Sequence, residues 1–243
     1  MNWPQITWIV CMFLSLAFEA FRVFIRTERL PVRIATFLVH MAWVLFVATL
    51  LWCGGFFSQA QAAQPPVAAQ HYRDATIRNA RLIWGLNAPV ADFAAQIHQE
   101  SHWQPDAVSP VGAEGLGQFM PATTRWFGDL VPELAAKAPF NPDWSIRALM
   151  HYDRWLWQRL DAVNDCERMG MTLSAYNGGL GWVQRDRRLA VSRGLEGRRW
   201  FGHIEQVNAG RSPAAWRENR HYPARILREL APRYLSWGGS CCV

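Results

Sequence analysis

The chain holds 243 residues, 51% of them hydrophobic and 18% charged, with 25 Lys and Arg against 19 Asp and Glu for a formal charge of +6. That balance excludes a disordered or collagen-like chain, and five cysteines are too few for a small disulfide-stapled scaffold. The apolar residues are unevenly spread, and their placement divides the chain in two.

Residues 6–25 read ITWIVCMFLSLAFEAFRVFI and residues 34–57 read IATFLVHMAWVLFVATLLWCGGFF. About 20 residues of helix rise far enough to cross a bilayer core of about 30 Å. Glu19 and Arg22 blemish the first stretch, and only His40 marks the second. Between them RTERLPVR sets Arg26, Arg29 and Arg33 against Glu28, and short Arg-rich loops stay on the cytoplasmic side. The expectation is a transmembrane helical hairpin within residues 1–63, with its loop inside and everything after Phe57 outside. Residues 58–70, SQAQAAQPPVAAQ, read as linker. Ala60-Gln61-Ala62 suits signal peptidase, so cleavage near Ala62 is the alternative to a retained anchor. Either way residues 64–243 are expected on the periplasmic or wall side of the inner, cytoplasmic membrane, and roughly 180 residues make one domain of ordinary size.

The positive charge of that part is nearly all Arg, Lys137 being the only lysine. The run from Gln184 to Arg199 holds Arg185, Arg187, Arg188, Arg193, Arg198 and Arg199. Export sets nucleic acid aside as a partner. An anionic envelope polymer, lipid headgroups and a plain solvated basic face remain. Cys166, Cys241 and Cys242 lie where disulfides form, and adjacent cysteines pair only with strain, so Cys166 is expected to bond one of the terminal pair.

The elements of this part read as helices. In NAPVADFAAQIHQESHW, Asn87 to Trp103, Asn87 suits an N-cap and Pro89 a first turn. Val90, Phe93, Ala94 and Ile97 recur at i, i+3, i+4 and i+7, one apolar face, and the same face continued reaches Glu100. A carboxyl there leaves the helix on its buried side, near the negative end of the dipole. Both conditions raise its pKa, as a proton donor in glycosidic-bond cleavage requires. A surface Glu at a frayed helix end is the plain alternative. His98 and His102 are spaced like zinc ligands, but Glu100 points away from them and no third ligand is evident, so neither metal nor cofactor is expected. Gly112, Gly115 and Gly117 then punctuate a loop before Pro121 opens a helix. Asn141-Pro142 starts another, whose apolar stripe carries the single polar residue Asp153. Met169 to Ala175 continues helical and Tyr176-Asn177-Gly178-Gly179 ends it. In WRENRHYPARILREL, Pro223 is expected to open a last helix over 224–230. No convincing alternating strand stands out.

Four motifs in order over about residues 80–230 resemble those of the lytic transglycosylases of the soluble type. They are Glu100-Ser101, then Gly112 through Gln118-Phe119-Met120-Pro121-Ala122-Thr123, then Ala175-Tyr176-Asn177-Gly178-Gly179, then Glu218 followed by Tyr222. The resemblance implies a mainly α, lysozyme-like domain over residues 64–243 and peptidoglycan glycan strands as substrate. It implies that Glu100 protonates the bond between N-acetylmuramic acid and N-acetylglucosamine. The same group then takes the proton of the muramic 6-hydroxyl, giving a 1,6-anhydro product without water. Ser101 would orient the Glu or the sugar. Gln118, Met120, Tyr176 and Asn177 would line the cleft, with Tyr176 near the catalytic carboxyl, Glu218 a buried structural or cleft carboxylate, and Tyr222 a further substrate-binding residue. Gly117 departs from the family's large apolar residue, which loosens one cleft wall. Some of the fourteen Trp suit sugar stacking.

Three other readings remain open. A goose-type lysozyme would hydrolyse the same bond with a second carboxylate, for which Asp106, Glu114, Asp129 and Asp153 are candidates. A wall-binding anchor would keep the fold without the chemistry. A hairpin with its own task would suit phage lysis or a secretion apparatus.

Overall fold

The computed structural model describes residues 64–242 together with Met41 and Trp43. The hairpin expected over residues 6–25 and 34–57 lies outside the described residues except at Met41 and Trp43, both helical and exposed. Among the described residues no helix is long and apolar enough to cross a membrane. Internal contacts separate Ala62–Val243 from Met1–Gln61 as a compact unit.

That unit is mainly helical. Beyond a single turn at Val67–Gln70, its α-helices are α1 (Arg73–Trp84), α2 (Val90–Ser101), α3 (Pro121–Leu130), α4 (Pro142–Trp157), α5 (Asp165–Gly178), α6 (Leu180–Ser192) and α7 (Pro213–Ala224). Extended pairing among the described residues is limited to the isolated bridges Val108–Glu114 and Glu114–Phe119, which fold the glycine-bearing loop back on itself. Local chemistry explains the helix starts. Pro121 and Pro142 sit in first turns, where an N–H has no partner to lose. The side chain of Asn141 accepts from the amide of Trp144 at 3.0 Å, and that of Asn164 from Glu167 at 2.9 Å. Gly179, at φ +94°, turns the chain sharply between α5 and α6.

Two boundaries differ from the sequence expectation. Asn87 does not cap α2, because Ala88 precedes Pro89 and is steered away from helical geometry, so the helix begins at Val90. Pro223 does not open a helix but lies inside α7. The chain continues past it into a π-helix at Arg225–Leu230, whose wider turn accommodates the amide that proline lacks.

The periodicity of α2 shows one apolar face, yet the structure buries every residue from Val90 to Ile97. Ala91, Ala94 and Ala95 let neighbours approach closely, while buried Asp92 and Gln96 find partners in the amide of Cys241 (2.8 Å) and in Asp153 (3.4 Å). α2 packs against the π-helix and the final 3₁₀ turn Ala231–Tyr234, and α4 packs against α1 and α5. Phe93, Ile97, Trp103, Leu149, Met150 and Tyr234 fill the main core. A second apolar cluster, with Leu156, Met171, Val183, Trp200 and Ile204, ties α6 to α5. Buried Glu167 pins it by accepting from the amides of Trp200 and Phe201 at 2.7 and 2.9 Å.

The disulfide joins Cys166, at the start of α5, to Cys242. With the Cys241–Asp92 bond it fastens the C-terminal segment to α5 and α2 together. Most of the Arg run is spent on structure. Arg187 donates to the carbonyl of Gly197 (2.8 Å), Arg198 pairs with Asp161 (2.9 Å), Arg199 pairs with Glu196 (2.8 Å), and Arg185 lies 4.2 Å over the ring of Trp182.

Candidate active site

α2 carries Glu100 in its last turn to the floor of an open cleft of about 300 Å³. The loop before α3 supplies Gln118, Phe119 and Met120, α4 supplies Tyr152, the end of α5 supplies Tyr176 and Asn177, and α7 supplies Glu218. Glu100 opens partly to the cleft, but protein crowds its carboxyl and strips it of water. Burial pushes its pKa up from 4.5 to about 8, the negative Glu218 nearby adds to the rise, and a hydrogen bond from the Tyr222 hydroxyl partly offsets it. At neutral pH this acid therefore holds its proton. Tyr222 is itself 4% exposed, and burial holds its hydroxyl well above the ordinary range, so it stays a donor.

The structure thus brings Glu100, Gln118, Met120, Tyr176, Asn177, Glu218 and Tyr222 together, and it sets Ser101 apart. The Ser101 side chain is buried and donates to the carbonyl of Ile97 at 3.2 Å, one turn back along its own helix. Tyr176 donates to the carbonyl of Gly117 at 2.7 Å. Gln118 adopts a left-handed φ of +48° and spends its amide on the carbonyls of Gly115 (2.9 Å) and Ala107 (3.2 Å), which locks the loop. Glu218 is exposed at the lip rather than buried. The register of α7 turns Asn219 and Tyr222 inward and leaves Glu218 in solvent, with the Asn177 amide 3.4 Å from its carboxylate.

Gly117 does not loosen the cleft. A Cβ at that position would lie 2.7 Å from the ring of Phe119 and 3.2 Å from the hydroxyl of Tyr176, so the Phe119 ring already occupies the space. That ring makes one wall with Tyr152 and Tyr176, with centroids 5.9 Å apart for Phe119–Tyr176 and 5.3 Å for Tyr152–Tyr176. Tyr152 was not singled out from the sequence. Its spacing from Leu149 and Leu156 places it on the apolar stripe of α4, and that signal does not separate a core ring from a cleft ring. Asn219 was missed as well. It joins α5 to α7 by donating to the Ser174 carbonyl and to Asn177, each at 2.9 Å.

Of the carboxylates weighed as a second catalytic group, Asp106, Glu114, Asp129 and Asp153 do not line the cleft. Asp153 is fully buried against Gln96, and burial raises its pKa well above the carboxylate range. His98, half-buried, bonds the Tyr234 hydroxyl at 2.7 Å, and burial lowers its pKa to about 4.

Fold and site together define a helical domain whose cleft is floored by one acid kept protonated at neutral pH. Residues 82–195 match the family model of the transglycosylase SLT domain. The match ends before Glu218 and Tyr222. Curated relatives include Membrane-bound lytic murein transglycosylase F of Pasteurella multocida, 36% identical over 110 residues, and its namesake in Shewanella pealeana, 37% identical over 109. These stretches are 45% and 44% of this chain and 21% of each relative, so the chain spans about a fifth of the length of the relatives it matches. The solved structure of the 70 kDa soluble lytic transglycosylase of Escherichia coli aligns over 70% of this chain and 25% of its own, with 23% identity and a TM-score of 0.48.

Proposed function

We propose that this chain is a peptidoglycan lytic transglycosylase that cleaves the β-1,4 bond between N-acetylmuramic acid and N-acetylglucosamine, with Glu100 as its single acid and base. The observation that carries the reading is the carboxyl of Glu100, raised to about 8 at the floor of an open cleft, with Glu218 the other carboxylate among the lining residues. The SLT domain and the names of the relatives supply the polymer.

The chemistry follows from the environment of that group. Protonated Glu100 gives its proton to the glycosidic oxygen as the C1–O bond breaks. The carboxylate left behind is briefly buried and charged, and the Tyr222 hydroxyl already donates to it. The carboxylate then takes the proton of the muramic 6-hydroxyl while that oxygen bonds to C1, which closes the 1,6-anhydro ring and restores the acid. One carboxyl therefore does in turn what most glycosidases divide between two. A hydrolase needs a second carboxylate to position water; Asp106, Glu114, Asp129 and Asp153 lie off the cleft, and Glu218, which does line it, stands exposed at the lip with the Asn177 amide 3.4 Å from its carboxylate.

Mass analysis of fragments released from purified peptidoglycan tests the reading. Anhydro-ended fragments are expected, and reducing ends would replace it with the hydrolase. Residues 1–63 are proposed as a membrane anchor with the domain on the periplasmic side, in keeping with the membrane-bound relatives. Alkaline extraction then leaves the chain in the membrane pellet, and its release into the supernatant would refute the anchor.

A further inference from the structure

Beside the cleft, and sharing Asn177 and Glu218 with it, lies a second cavity of about 270 Å³. Gly178 at the end of α5, Trp182 of α6, Arg211, and Ala215 in the first turn of α7 form its other walls. The side chain of Arg211 is 4% exposed. One terminal nitrogen pairs with Asp186, while its Nε and Nη2 are buried without a hydrogen-bond partner. Unmet donors on a buried guanidinium cost more than a lost neutral hydrogen bond. Its counter-charge is also divided. Asp186, fully buried, is shared by two guanidiniums, those of Arg211 and Arg220 (2.8 Å), and the other carboxylate acting on the cluster, Glu205, bears on Arg220 rather than on Arg211. The N-terminus of α7, the positive end of its dipole, opens on the same cavity.

Gly178 lets the Asn219 side chain pack closely beside the guanidinium. A Cβ there would press to 2.7 Å on the Asn219 amide and stand 3.6 Å from Nη2 of Arg211. Trp182 supplies an apolar face, with the guanidinium 5.1 Å from its ring centroid. The one acidic side chain in the lining, Glu218, is exposed at the shared rim and engaged by Asn177.

We infer that this cavity is an anion subsite that takes a carboxylate carried by the glycan strand lying in the cleft. The inference rests on the transglycosylase reading for the identity of the strand. Peptidoglycan carries carboxylates in two places, on the lactyl arm of muramic acid and along the peptide branch, and either would meet the free donors of Arg211 from the Asn177 side.

The test measures kcat/KM of the full chain on strands with intact peptides and on peptide-free strands, each before and after amidation of the carboxylates. Amidation is expected to lower kcat/KM about tenfold in the parent, the worth of one hydrogen bond to a charged group. It is expected to have no such effect in Ala215→Trp, which fills the cavity from an exposed position and leaves both ion pairs in place. Because Ala215→Trp changes no charge, any general attraction between an acidic polymer and a basic chain survives in it. Arg211→Gln should behave alike wherever it folds. A penalty confined to peptide-bearing strands places the carboxylate on the peptide, and one on both kinds places it on the lactyl arm. Equal parent rates on free and amidated strands, or a full penalty in Ala215→Trp, would overturn the subsite. Should no strand be cleaved, it is the transglycosylase reading that fails. Calorimetric binding of the disaccharide tetrapeptide, native against amidated, then decides the subsite by the same tenfold criterion.

Discussion

Two places in this domain bury ionisable side chains, and they meet the cost of burial in opposite ways. In the cleft, Glu100 faces a tyrosine hydroxyl and another carboxylate, so it is cheapest as a neutral acid. At the junction of α6 and α7, Asp186 faces two guanidiniums and the amide of Ala209 at 2.9 Å, a set of partners that suits a charged carboxylate. Burial without a counter-charge makes a proton donor, and burial with counter-charges makes a clamp. On the proposed reading chemistry falls to α2 and mechanical coupling to α7, although α7 also reaches the cleft through Tyr222.

The largest expected effect is on activity. Glu100→Gln keeps the shape and removes the transferable proton, so release of soluble fragments should fall about 10³-fold or more while the circular dichroism spectrum is retained. Next comes Asp186→Asn, which strands two buried guanidiniums and should cost about 3–5 kcal/mol in denaturant unfolding. A negligible cost would mean that the cluster is no clamp.

A smaller change sharpens the account of the cleft. Tyr222→Phe removes the donor that favours ionised Glu100, so the alkaline limb of the pH–rate profile should move above its parent position near 8. The rate should fall about tenfold, because the carboxylate between the two proton transfers loses its partner. An unmoved limb would detach Tyr222 from the acid.

The smallest effect is on stability. The folded pKa of Glu100, about 8, exceeds its ordinary 4.5, so between those values the folded chain holds a proton that the unfolded chain releases. The contribution is fully present below the lower value and is lost as pH rises through 8. Glu100→Gln escapes this loss. Its stability relative to the parent should grow from pH 5 to pH 8 by about 1–2 kcal/mol, discounted for the partial opening of Glu100 to solvent. A gap independent of pH would show that Glu100 is not perturbed.

Much of this arrangement is legible along the chain. The period through Val90, Phe93, Ala94 and Ile97 points Glu100 inward, and the prolines and asparagines before α3, α4 and α5 mark where those helices begin. Other features are not legible, because they depend on residues far apart in sequence. Tyr222 reaches Glu100 across 122 positions, and Asn219 reaches Asn177 across 42. The effect of Gly117 is not legible either, because the nearby Phe119 ring fills the gap only once the loop has folded back through its bridges. Arg211, one arginine among many in the sequence, is set apart only by packing against Trp182 and Asp186.

Periodicity and caps thus determined the helical class and the inward side of Glu100, which follow from short-range geometry, while the resemblance in motif order pointed to the other residues that line the cleft. The tertiary structure decided the protonation of that acid, the inward turn of Ser101, the exposure of Glu218 and the partners of Arg211. The physical reason is that desolvation and ion pairing depend on which distant segments close around a group, and a linear pattern does not carry that information.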